Sequence, residues 1–244
     1  MRQDLTERRA KESKITTILF DAGGTLVYVD YGFLQKELRK AGIPVTRQQV
    51  REAEGTAKAA IDRRMEAAAP DTDDTRRQPY FAALFQQLGI EASLAAQLLH
   101  TIETTHRRDN LWRTMLPSTP GILARLRERG LSLGVVSNAD GRITSILERC
   151  GIAQFFQVII DSHEIGIEKP DPRIFDVALT KSQARPEQTL YVGDIYSIDV
   201  VGAERAGIHP VLLESIGYNA PVKCRKISHL RALLGIVGLA PRGQ

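Results

Sequence analysis

The chain has 244 residues, of which 43% are hydrophobic and 25% charged, and it carries a net charge of +4. That length holds one large core, or a core with a smaller insert, at a composition ordinary for a globular protein. No apolar run approaches the roughly 18 residues of a membrane span, which excludes an integral helical membrane protein.

The first fourteen residues, "MRQDLTERRAKESK", are polar and lack the apolar centre of a secretory signal. They are expected to form a disordered charged arm over 1–14 on a cytoplasmic protein. Ile15–Phe20 is then apolar or Thr at every position and rich in β-branched residues, so it predicts a strand buried on both faces.

From 31 to 114 the pattern is helical. Phe33, Leu34 and Leu38 share a face before Gly42, and Thr46 with Gln49 can form a capping box. Val50, Ala53, Ala57, Ile61 and Met65 make one stripe on the helix that follows. "APDTDDTRRQ" reads as a polar connector to a third helix opening at Pro79 and ending at Gly89. Leu94, Leu98, Leu99 and Ile102 mark a fourth. No strand is expected in this stretch.

Strand and helix alternate after it. Leu131–Val136, Phe156–Ile160, Thr189–Val192 and Pro210–Leu213 are strand-like, and helices run from Pro120, Arg142, Pro172 and Ile198 to glycines or polar breaks. Alternation of this kind predicts an α/β fold: a Rossmann-like, doubly wound parallel sheet, here with an inserted all-helical domain. The division is a core from 15–30 and 115–244 and a helical cap from 31–114. Ligands of such sheets bind beyond the carboxyl ends of the strands. Asp21, Ser137, Asp161 and Asp194 each follow a strand at that edge.

The tail from Pro221 to Gln244 holds Lys223, Arg225, Lys226, Arg231 and Arg242 and no acid, leaving the rest of the chain at −1. A basic tail with few aromatics reads as a solvated helix face, so no nucleic-acid partner is expected. Leu230, Leu233 and Leu234 have the spacing of a helix packed on the core. Cys150 and Cys224 are far apart and read as free thiols.

Four motifs meet at the sheet edge: "LFDAGGTL", "LGVVSNADGR", "GIEKPDPRIF" and "YVGDIYSIDVVGAERAGI". Together, over about residues 15–213, they resemble the haloacid dehalogenase superfamily of hydrolases, in the subclass with a helical cap. The resemblance implies that Asp21 is a nucleophile that accepts a phosphoryl group, forming an aspartyl-phosphate that water hydrolyses. It implies that Ser137 binds the phosphoryl group and that Lys169 neutralises the charge beside Asp21. It further implies Mg²⁺ held by Asp21, the Gly23 carbonyl and Asp194, with Asp199 in support. Thr25 and Asn138 are the expected substrate-side residues. Asp199 can also cap its helix, and Asp140 is expected as a helix N-cap. Asp140 and Arg142 can alternatively face the substrate, and His100, His106 and His163 are expected to be structural or exposed.

One position departs from the family. Most of its phosphatases carry an acid/base Asp two residues after the nucleophile, and this chain has Gly23 there. Loss of such a group commonly costs about 10²–10⁴-fold, most for poorly leaving alkoxides. A phosphatase weak on alkyl phosphates is the expected activity, with a small phosphorylated substrate and with Tyr28 or Asp30 as candidate replacement acids. Three alternatives stay open: a metal-independent 2-haloacid dehalogenase, a phosphonoacetaldehyde-hydrolase-like enzyme using Lys58 as its Schiff-base lysine, and a non-catalytic binding protein. For Lys58 itself, solvation at the edge of its helix stripe is the expectation.

Overall fold

A computed structural model describes residues 14–67, 72–218, 220 and 223–238. The expected N-terminal arm, apart from Lys14, therefore lies outside the described residues, as does Arg242 of the basic tail.

The core is a six-stranded parallel sheet in the order β5-β4-β1-β6-β7-β8. Its strands are β1 (Thr17–Phe20), β4 (Ser132–Ser137), β5 (Val158–Asp161), β6 (Thr189–Gly193), β7 (His209–Leu213) and β8 (Arg225–Ile227). β1 is buried on both faces because its side chains alternate between two apolar layers. Ile18 and Phe20 join the layer that holds Leu123, Leu126 and Ile146, while Leu19 joins Phe175, Ala178 and Tyr191 on the other. Strand order reverses at β1: β4 and β5 extend to one side of it and β6 to the other. The carboxyl end of β1, where Asp21 lies, is therefore the switch point at which open α/β sheets bind ligands.

The insert is four helices: α1 (Tyr31–Lys40), α2 (Arg47–Glu66), α3 (Asp73–Gln87) and α4 (Ala92–Arg108). Their inward stripes form a separate apolar cluster built on Leu34, Leu38, Val50, Ala57, Ile61, Phe81 and Phe85. Each large side chain among them contributes on the order of 1.5–3 kcal/mol by burial. The Thr46–Gln49 capping box opens α2.

Three elements differ from the sequence expectation. α3 begins at Asp73, not at Pro79, because Thr72 and Thr75 form a capping box within the polar connector. A short strand, β3 (Trp112–Thr114), pairs antiparallel with β2 (Tyr28–Val29) at the two crossings between core and cap. Part of the basic tail is edge strand β8 rather than a helix face; a strand carrying Arg and Lys is a common way to blunt a sheet edge. Leu230, Leu233 and Leu234 do pack into the core, and both cysteines are free. No helix among the described residues is long and apolar enough to cross a membrane.

Candidate active site

Asp21 leaves the end of β1 with its backbone N–H still bonded to Val192 of β6. Its carboxylate then meets those of Asp194 and Asp199, and one oxygen from each of the three lies within 4.8 Å of the others. All three residues are buried. Such a group of acids is stable only if its charge is balanced.

Lys169 supplies part of that balance. Its Nζ donates to Asp21 Oδ1 at 2.6 Å, to Asp199 Oδ1 at 2.8 Å and to the Tyr191 hydroxyl at 2.7 Å. Tyr191 in turn donates to the Val136 carbonyl at 3.0 Å. The second Asp199 oxygen accepts from the backbone N–H groups of Asp194 and Ile195. Asp199 thus holds the loop after β6 and orients Lys169, with both oxygens engaged. Gly193 permits this, since a β-carbon there would lie 2.3 Å from the Asp199 carboxyl carbon.

Lys58 supplies the rest, against expectation. It is 4% exposed, and its Nζ lies 2.6 Å from Asp194 Oδ2 and also bonds Ser215 Oγ. The reason is that α2 docks onto the core rather than facing solvent. A β-carbon on Gly55 would lie 2.3 Å from the Ile216 carbonyl oxygen. One turn past Lys58, Asp62 accepts from the Ser197 N–H at 2.9 Å and from the Tyr218 hydroxyl. Burial lowers the Lys58 and Lys169 ammonium groups, but the carboxylates beside them raise both above the ordinary value, so each stays charged.

Three carboxylates facing two ammonium groups leave an excess negative charge. Burial accordingly pushes the Asp21 carboxyl up to about 8 despite Lys169, with Asp199 and Asp194 adding to the rise. Asp194 is also raised, by burial first, against Lys58. A divalent cation fits this place by charge and by donor type. Asp21 Oδ2 and Asp194 Oδ1 accept no hydrogen bond from the described residues, and neither does the Gly23 carbonyl. Oxygen ligands with free lone pairs are what a hard cation takes. Gly24, at φ +79°, completes the turn; a β-carbon there would lie 2.1 Å from Asp194 Oδ2.

Beyond these residues a cavity of about 140 Å³ opens between core and cap. Ser137 lines it from the end of β4, with its hydroxyl 3.5 Å from the Asn138 carbonyl. Asn138 also borders it, but its amide is spent on Lys169, accepting from the Lys169 N–H at 2.8 Å and donating to its carbonyl at 3.0 Å. It positions the lysine loop. Thr25 is fully buried away from the cavity with its hydroxyl unpaired, so the structure does not bring it to a substrate.

The space beside Gly23 is filled by Trp112. A β-carbon on residue 23 would meet Trp112 Cδ1 at 3.2 Å and Nε1 at 3.4 Å. Neither candidate replacement acid is available. Tyr28 donates to the Thr25 carbonyl at 3.0 Å, and burial, reinforced by Asp194, raises its hydroxyl far above the ordinary value. Asp30 caps α1 through the Phe33 N–H and is paired with Arg113; burial raises its carboxyl, but these bonds outweigh that and keep it below the ordinary value.

Asp140 is not a helix cap. It accepts from His106 Nε2 at 3.1 Å and pairs with Arg142, while Asp161 Oδ2 lies 3.4 Å from the Ile143 N–H where the helix begins. His106 is buried, with both ring nitrogens committed: Nε2 to Asp140 and Nδ1 to the Leu111 N–H at 3.4 Å. Arg142 also donates to the His106 carbonyl, tying the end of α4 to the core. His100 and His163 are exposed.

A buried aspartate at a sheet switch point, clamped by lysine and roofed by helices, defines a capped α/β fold with its site under the cap. The family model of haloacid dehalogenase-like hydrolases matches residues 15–207, and the chain belongs to that family. Among curated relatives, haloacid dehalogenase-like hydrolase domain-containing protein 3 of Bos taurus is 35% identical over 130 residues, 53% of this chain and 51% of the relative. Glyceraldehyde 3-phosphate phosphatase of Methanothermobacter thermautotrophicus is 39% identical over 100 residues, 41% of this chain and 44% of the relative. The chain thus matches about half the length of these relatives. The solved HAD-hydrolase YfnB of Bacillus subtilis shares the fold with a TM-score of 0.66 at 23% identity, covering 93% of this chain and all of that one.

Proposed function

We propose that this hydrolase is a Mg²⁺-dependent phosphatase that acts on small, activated phosphates through an aspartyl-phosphate on Asp21. The observation that carries this reading is the polarised Asp21 carboxylate. Lys169 holds its Oδ1 at 2.6 Å, and its Oδ2 is left free at the edge of the cavity. Mg²⁺ held by Asp21, the Gly23 carbonyl and Asp194 would supply the positive charge that lets an anionic nucleophile approach a phosphate. The phosphatase among the relatives supports the choice of phosphate.

In the first step an Asp21 oxygen bonds to phosphorus as the bond to the leaving oxygen breaks, and the electron pair departs on that oxygen. Ser137 donates to the transferring group, and Lys169 offsets the charge gathering at Asp21. In the second step a water oxygen bonds to phosphorus, and the pair of the broken bond returns to Asp21. The water's protons end on the phosphate and on solvent. No carboxylate stands at residue 23, and Tyr28, Asp30 and His106 are all committed elsewhere. Glu54, the buried carboxylate on the cap side of the cavity, accepts from the Tyr31 and Tyr80 hydroxyls and is committed as well. Such a site suits acyl and aryl phosphates, whose leaving oxygens need little protonation, and disfavours alkyl ones. A cavity of about 140 Å³ accepts a small molecule; a cavity of about 150 Å³ holds one benzene ring.

The test is hydrolysis of acetyl phosphate and 4-nitrophenyl phosphate with Mg²⁺ and with EDTA, in wild type and Asp21→Asn. Metal-dependent turnover that Asp21→Asn abolishes is expected. Turnover unchanged by either would sink the reading, and chloride release from a 2-haloacid in EDTA would replace it with dehalogenation. The Schiff-base reading is disfavoured by the Lys58–Asp194 pair, because that chemistry needs a neutral amine and the pair holds an ammonium.

A further inference from the structure

Trp112 lies far from every motif that identifies the site, yet it lines the same cavity as Asp21, Ser137 and Lys169. Its indole is fixed by the rings of Tyr80, Phe81 and His106, with centroids 6.2, 6.0 and 5.8 Å away. Its Nε1–H makes no hydrogen bond to any described residue, and this nitrogen is the atom 3.4 Å from a β-carbon at position 23. The Gly23 backbone is outside the left-handed region, and the atoms nearest to a β-carbon there all belong to the indole. Trp112 thus stands on the cavity wall beside the turn that follows Asp21, with its free N–H at that turn.

We propose that Trp112 is the specificity-determining residue of this site, selecting phosphate esters with planar, delocalised leaving groups, phenols or enols, over alkyl phosphates. The proposal rests on the phosphatase reading above. An indole N–H can hydrogen-bond a departing oxygen but cannot protonate it. When the Asp21–phosphorus bond forms, the electron pair of the broken bond must stay on the leaving oxygen until solvent protonates it after release. A phenolate or enolate carries that pair by delocalisation, and its π system can pair edge-to-face with the indole edge that borders the cavity; an alkoxide does neither. Aromatic pairing of this kind is worth up to about tenfold in affinity.

Trp112 is the single tryptophan of the chain, so its emission reports directly on the site. The experiment titrates wild type in Mg²⁺ with phenylphosphonate and with methylphosphonate, neither of which can be hydrolysed. Phenylphosphonate is expected to change the emission and to bind about tenfold tighter than methylphosphonate. By calorimetry, Trp112→Leu should bring the two within about twofold, while Trp112→Phe keeps part of the preference. Equal binding of the two by wild type, or an undiminished preference in Trp112→Leu, overturns the proposal. Both readouts are free of turnover. Failure of the phosphatase reading would show separately, as absent Mg²⁺-dependent hydrolysis with the phenyl preference intact.

Discussion

The core side and the cap side of the cavity solve different problems. On the core side, Asp21, Lys169, Tyr191 and Asp199 form a closed set of short bonds at the strand ends, with Lys169 in contact with the other three. On the cap side, Lys58, Trp112 and His106 arrive from helices and a short strand, and each meets the core beside the cavity. The core side fixes what reaction is possible. The cap side adjusts charge at Asp194, space beside Gly23 and closure over the cavity.

Removing the hub of the core side should have the largest effect. Lys169→Met leaves Asp21 and Asp199 buried without their shared cation. Turnover of 4-nitrophenyl phosphate is expected to fall by about 10³-fold, the scale for loss of a preorganised charge. Breaking a buried ion pair should also cost about 3 kcal/mol or more in urea unfolding. A variant within about tenfold of wild type would show that the cap side, not Lys169, neutralises Asp21.

Lys58→Met tests the same cluster from the cap. With EDTA present, stability should drop by about 3 kcal/mol, because Asp194 is left buried and unpaired. Divalent-cation binding, followed by calorimetry with Mg²⁺, should tighten by about tenfold, since a competing positive charge within about 4–6 Å shifts such equilibria by a unit or more. A solvated Lys58 would move neither quantity.

The two sides were unequally legible in the sequence. Asp21, Ser137 and Asp194 could be singled out because each follows a strand, and Lys169 and Asp199 because they stand in motifs that resemble those of the family. Lys58 stood out only as a lysine at the edge of a helix stripe, with solvation expected: its burial depends on Ser215, 157 residues along the chain, and on the close approach that Gly55 allows. Trp112 was equally hidden, since its place is set by the pairing of Val29 with Trp112 in a ladder too short to show strand periodicity. Tyr191 sits inside "LYVGD" as one more apolar strand residue; only the parallel register with β1 puts its hydroxyl at Lys169. Gly23 announced that a carboxylate was missing, and only the fold supplied the indole in its place.

The smallest effect belongs to the seam where cap meets core. Asp140 is half-buried, and its carboxyl is held well below the ordinary value: burial raises it, but the His106 and Arg142 hydrogen bonds outweigh that. A carboxyl lowered in the folded state stabilises fully above its unfolded value, about 3.9, and that contribution fades as pH falls from there toward the folded value. Asp140→Asn should therefore cost on the order of 1 kcal/mol near neutrality, a figure kept small by solvent screening of a partly exposed group. The gap between wild type and variant in urea midpoint should be constant from about pH 7 to 5 and should shrink by about pH 3. A gap that persisted undiminished at the acid end would mean that the seam depends on the shape of the side chain at 140 and not on its charge.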